Sequence, residues 1–183
     1  MQEFTNWTVK TIREDKYIGS WMEERKFDWI PLVSKTLLNI IESGKTVLVI
    51  TDESRDWFLK YILSNINKDP NQRPLLSFLD FDCVSHNFKN VIKESDIELV
   101  QDMLDISFPN GYIFWYIGKS SNKKAILPKV SANSFLWLFD EDVTNSFVLK
   151  STDETLDMKL LQLYRLFNKT LDAALFADIE VDK

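Results

Sequence analysis

Apolar residues in the first forty positions return every three or four residues, the spacing that gathers side chains on one side of an α-helix. This predicts a short helix over residues 4–13 and a second beginning at Tyr17, with Tyr17, Ile18, Trp21, Met22 and Trp29 on one stripe. Pro31 is expected to start or kink a further helix in which Val33, Leu37, Ile40 and Ile41 keep the spacing, and Ser43-Gly44 ends it. The pattern then changes. Residues 45–51 form a β-branched apolar run without alternation, as in a strand buried on both faces. Asp52-Glu53-Ser54 follows as a turn and N-cap signal, then a helix over 55–67. Similar apolar runs lie at 74–81, 111–118 and 134–139, with a weaker one at 146–150. Helical segments at 95–105 and 122–127 separate at least two of these, and a long helix over 156–177 closes the chain.

Buried strands alternating with helices imply an α/β fold, a parallel sheet covered on both faces. With 183 residues and no repeat, low-complexity tract or linker, one domain is expected: N-terminal helices at 4–43, sheet and helices at 45–150, and the C-terminal helix.

Charge and cysteine content narrow the function. Net charge is −6, and no Lys/Arg cluster exists to release counterions from nucleic acid; the nearest, 119–124, holds three lysines in a polar turn. Direct nucleic-acid binding is therefore not expected. One cysteine, Cys83, excludes an intramolecular disulfide framework. Residues 1–16 alternate charged and apolar positions, unlike a signal peptide, and the longest apolar runs are strand-length, so no membrane association and a cytoplasmic location are expected.

Catalytic equipment is sparse. The lone histidine, His86, has no second His and only Cys83 nearby, so it reads as a surface-loop residue, and no metal or cofactor is expected. Phosphate-cradling loops, dinucleotide fingerprints and nucleophile elbows are absent, and only four glycines are present. The sharpest enzymatic signal is the strand run leading into Asp80-Phe81-Asp82, which resembles the nucleophile motif of haloacid-dehalogenase-type, Mg²⁺-dependent phosphotransferases. Asp140-Glu141-Asp142 would supply the distal acids, and Lys119 or Lys123 the lysine. Acidic residues also commonly end strands where the chain turns to solvent, and the motif sits on the second strand rather than the first. A non-enzymatic role is the expectation.

Interaction residues are more telling. On the 55–67 helix, Phe58, Leu59, Ile62, Leu63 and Ile66 share one face, while Trp57 and Tyr61 point away beside Lys60 and Ser64. Paired exposed aromatics mark either a contact surface or the underside of a second layer, such as the N-terminal helices. Trp21, Arg25 and Trp29 are spaced for a cation–π stack. The C-terminal helix carries a stripe from Leu156 to Leu175, with Met158, Leu166 and Phe176 off it and available to a subunit contact.

Four strings together resemble one family: Asp52-Glu-Ser-Arg-Asp-Trp-Phe-Leu-Lys-Tyr-Ile-Leu-Ser-Asn-Ile-Asn67, Arg73-Pro-Leu-Leu-Ser-Phe-Leu-Asp-Phe81, Ser134-Phe-Leu-Trp-Leu-Phe139 and Leu156-Asp-Met-Lys-Leu-Leu-Gln-Leu-Tyr-Arg-Leu-Phe167. They are similar to the HobA family of DnaA-binding regulators of chromosome replication initiation, in register from about Phe4 to Phe176. The resemblance implies a sugar-isomerase-like (SIS, Rossmann-type) three-layer fold with a five-stranded parallel sheet. It also implies a homotetramer, a dimer of dimers, that binds the N-terminal domain I of several DnaA molecules. The partner surface is expected on Arg55, Trp57, Lys60 and Tyr61, with Trp21, Glu24 and Arg25 as neighbours. Sugar-phosphate binding is the alternative, but the first strand's turn, Thr51-Asp52-Glu53-Ser54, has two carboxylates where a phosphate would sit. Residues 85–93 match the family poorly and are expected to form a variable loop.

Overall fold

Alternation along the two central strands decides the layers. In β1 (Thr46–Thr51), Val47 and Val49 enter one core and Leu48 and Ile50 the other. In β3 (Tyr112–Lys119), Ile113, Trp115 and Ile117 alternate likewise with Phe114 and Tyr116. Both strands are buried on both sides, so neither shows the polar alternation of a half-exposed strand. The computed structural model describes residues 2–68, 73–84 and 94–181; His86 and the loop expected at 85–93 lie outside them.

The sheet is five-stranded and parallel throughout, in the order β2-β1-β3-β4-β5, where β2 is Phe78–Asp80, β4 Ser134–Phe139 and β5 Ser146–Leu149. One face is covered by α1 (Gln2–Glu14), α2 (Trp21–Ile41), α3 (Asp56–Asn65) and α7 (Leu156–Leu175). The other is covered by α4 (Phe81–Val84), α5 (Glu94–Ser107) and α6 (Ile126–Val130). The three-layer arrangement agrees with the sequence reading.

Several boundaries differ. The second helix starts at Trp21, four residues later than its stripe implies, because Asp15 accepts the Tyr17 N–H and ties residues 15–20 into a turn. Pro31 lies inside α2 on its exposed side and begins no separate helix. β2 is three residues long instead of spanning 74–81, and Leu79 on it is exposed, because the strand pairs only with β1 at the sheet edge. Leu166 is fully buried, since α1 and α2 cover the side of α7 that a lone amphipathic helix would expose. Its part in a subunit contact is thereby withdrawn.

The β4–β5 connection is unusual for parallel neighbours, which ordinarily need a crossover of a dozen or more residues. Here residues 140–145 suffice. β5 begins level with Leu136, so the chain backs up only along half of β4. Asp140 and Asn145 adopt left-handed backbone (φ 69° and 62°) at the two ends of the return. The core between sheet and α2/α7 is aromatic: Trp29, Trp115, Trp137, Phe135, Phe147 and Phe167 are fully buried, with centroid spacings such as 5.1 Å for Trp115–Trp137.

Candidate functional site

Burial of Phe58 and Ile62 fixes the roll of α3 and turns Trp57, Lys60 and Tyr61 outward. Among the described residues no second layer covers the two aromatics, which are 38% and 40% exposed. They are nevertheless held. The Tyr61 ring stacks on Phe58 at 6.2 Å and meets Tyr164 of α7 edge-on at 5.4 Å, and Trp57 leans on Phe58 at 5.3 Å. Rigid, half-open aromatics lose little entropy when a partner covers them.

The other expected residues divide. Glu24 is exposed at the start of α2. Trp21 is partly buried; its indole N–H donates to Gln162 Oε1 at 2.7 Å, and Lys159 Nζ sits 5.0 Å from a ring centroid. The expected Trp21–Arg25–Trp29 stack does not form, because Trp29 is fully buried in the sheet-side core. Arg25 instead lies 4.6 Å over the Phe147 ring, pairs with Asp28 at 2.7 Å and donates to the Val148 carbonyl at 3.0 Å, covering edge strand β5. Arg55 turns inward too, with a side chain 17% exposed: it donates to the Ser54 carbonyl, lies 5.4 Å over Phe139 and approaches Asp157 at 3.8 Å. The α2 and α3 groups thus flank the first turns of α7, which touch α3's entry through Asp157 and Trp21 through Lys159 and Gln162. Met158, 62% exposed, lies on these turns.

Sequence reasoning missed the groove between α3 and α7, about 230 Å³, lined among others by Tyr61, Lys68, Tyr164, Arg165, Asn168 and Lys169. Its cations come from chain positions a hundred residues apart, so no local cluster announces it.

At the carboxyl ends of the strands, the order reverses between β1 and β3, where open parallel sheets ordinarily hold ligands. Here the chain's own groups fill the crevice. The buried Asp52 carboxylate accepts the Lys119 N–H at 2.9 Å instead of capping the following turn. Glu53 accepts from Asn122 at 2.9 Å and is held below the usual carboxylate range, first by its own backbone N–H and then by Asn122. Two carboxylates at this point leave no anion cradle for a sugar phosphate.

A sequence profile of HobA, described as a DNA replication regulator, matches residues 1–181. The chain belongs to the HobA family. It is 37% identical to the DNA replication regulator protein HobA of Helicobacter pylori over 184 residues, 96% of this chain and 97% of that protein. Two crystal structures from Helicobacter pylori are similar to it with a TM-score of 0.75. One is a HobA-DnaA (domain I-II) complex, 34% identical and covering 98% of this chain and 95% of that one. The other is HobA, 35% identical, covering 98% and 94%.

For a member of the HobA family, the acidic motif at 80–82 has a structural reading. Asp80 Oδ1 accepts the Asp82 N–H at 2.9 Å, capping the turn into α4, and Asp82 pairs with Lys124 at 3.0 Å, not with Lys119 or Lys123. Asp140 follows β4, three strand spacings from β2, or about 14 Å across the sheet. There Asp140 accepts the Ser151 N–H at 2.7 Å, and Glu141 pairs with Lys129 at 3.3 Å. The acids are spread along the sheet rim, each tied to a different local partner.

Proposed function

We propose that this chain is a non-enzymatic cytoplasmic adaptor that binds the N-terminal domain I of the initiator DnaA and promotes its assembly at the chromosomal origin. The observation that carries the reading is the whole-chain similarity to HobA in a HobA-DnaA (domain I-II) complex. A homotetramer, a dimer of dimers, would hold several initiators together and raise their effective concentration without new contacts among them. The apolar line Leu99, Met103 and Ile106 on α5, all exposed, supports self-association. The net charge of −6 suits a protein that leaves DNA contact to its partner.

The partner surface is placed on Trp57, Lys60 and Tyr61, extending over the start of α7 to Trp21 and Glu24, with Arg55 and Arg25 anchoring its two edges. Titration calorimetry of the full chain with the DnaA domain I–II fragment of the same organism tests both parts. The wild type is expected to bind, and Trp57→Ala to weaken binding at least tenfold while melting as the wild type does. No binding by the wild type would overturn the adaptor reading. Undiminished binding by folded Trp57→Ala would overturn the placement alone.

A further inference from the structure

The α3–α7 groove has a chemistry that differs from the rest of this acidic chain. Three cations, Lys68, Arg165 and Lys169, line it. Two are pinned by one buried acid: Asp15 lies 2.7 Å from Arg165 and 2.6 Å from Lys169, so among the described lining residues positive charge is in excess. Both pinned cations stay about 40% exposed. The Tyr164 side chain, 95% buried, lines the same groove, and its hydroxyl has no hydrogen-bond partner among the described residues. Leaving a buried donor unpaired is costly, so an acceptor delivered to it is favoured. Tyr61 forms one apolar wall, and the Tyr17 ring extends the surface under Arg165 at 4.9 Å.

We propose that this groove is a socket for an acidic side chain carried by the partner protein, entering beside Tyr61 and meeting Lys68, Arg165, Lys169 and the Tyr164 hydroxyl. The proposal rests on the reading that the chain acts by binding a protein, and it assigns that surface an electrostatic anchor next to its aromatic one. Its volume takes one carboxylate side chain with its stem. Single-stranded nucleic acid fits less well, because base stacking needs a row of open ring faces, and here Tyr164 is buried and the Tyr17 ring lies under the Arg165 and Lys16 cations. Complementary charge at such a rim acts on encounter and salt dependence as well as on affinity.

The test places negative charge in the groove without breaking the Asp15 pairs. Lys68 is exposed, and Asn168 accepts from Arg73 at 2.8 Å through Oδ1, an acceptor that an aspartate keeps. Binding of the DnaA domain I–II fragment to the full chain is measured at low and high NaCl for the wild type, Lys68→Glu, Lys68→Glu/Asn168→Asp and, as an exposed control elsewhere, Lys150→Glu. Wild-type affinity is expected to fall with salt. The double variant should bind at least tenfold more weakly at low salt with a flatter salt dependence, Lys68→Glu should fall between, and Lys150→Glu should match the wild type. The socket is overturned if the double variant binds as the wild type does. It is also overturned if light scattering shows that the substitutions change the oligomer, or if they abolish binding of a labelled single-stranded oligonucleotide instead. A wild type that fails to bind the fragment removes the adaptor reading and this socket with it, whereas wild-type binding that is indifferent to salt removes only the socket.

Discussion

Asp52 at the end of β1 accepts the backbone N–H of Lys119 at the end of β3, 2.9 Å away, and closes the crevice between the two central strands. The contact requires the residue before Lys119 to be small: a Cβ on Gly118 would lie 2.7 Å from Asp52 Oδ2 and 2.9 Å from its Cβ. Gly118→Ala is therefore expected to destabilise by about 1–3 kcal/mol, as overpacking does. Asp52→Ala leaves the Lys119 N–H unpaired and costs a similar amount. The two changes should add only in part, because Asp52→Ala clears the carboxylate from the methyl's path but keeps the Cβ contact. A double-mutant cycle by urea denaturation checks this, and full additivity would refute the close approach.

Asp15 sets a pH dependence. Burial alone would raise its carboxyl, but hydrogen bonds from Lys169, the Tyr17 N–H and Arg165 together outweigh it and bring the group down to about 2. A carboxyl depressed in the folded state stabilises fully above its unfolded value near 3.8, and the contribution fades as pH falls towards 2. With Arg165 and Lys169 partly exposed and screened, the contribution is about 1–2 kcal/mol. Asp15→Asn should melt lower than the wild type at pH 7, and the gap should narrow between about pH 5 and pH 2. Calorimetric melting across that range is the measurement.

Arg73 carries the approach to β2. Its guanidinium is buried against the Ile66 carbonyl and reaches Asp172 at 2.5 Å and Asn168 at 2.8 Å, joining the end of α3 to α7. Arg73→Ala removes one partner of a buried pair and is expected to cost about 3 kcal/mol or more. Hydrogen exchange should rise first in β2 and the end of α3, since these lose their tie to α7.

Asp80 governs the single thiol. The Cys83 S–H donates to Asp80 Oδ2 at 3.5 Å, and that hydrogen bond, followed by the carboxylate's charge, raises the thiol's pKa above its ordinary value. A thiolate beside a carboxylate is disfavoured, so the exposed Cys83 should react slowly with disulfide reagents for its accessibility. Asp80→Asn removes the charge, lowers the thiol's pKa and should speed labelling at pH 8 several-fold. An unchanged rate would place the thiol outside the field of Asp80.

Local pattern carried the elements well. The unbroken runs at 46–51 and 134–139 could only be strands buried on both faces, and two such strands among helices already imply a covered parallel sheet. Phe58 and Ile62 likewise settled which way Trp57 and Tyr61 face, because one helix has one angular spacing. Misreadings fell where a long-range neighbour overrides that spacing. Leu166 is off the stripe of α7 yet buried, because a second helix layer lies over it.

The sequence by itself determined the class of fold, the outward face of α3 and, through four long strings, the family, since all three are written in periodicity or in contiguous residues. Only the tertiary structure decided what the charged residues do. Along the chain Arg25 reads as the middle of a Trp21–Trp29 stack and Arg55 as a partner-facing cation, but a different aromatic ring and a backbone carbonyl lie within reach of each once the strands are laid side by side. The same folding brought Lys68, just past the end of α3, to Tyr164, Arg165 and Lys169 of α7. Electrostatic fields depend on distance in space, and that distance is set by the packing of the layers.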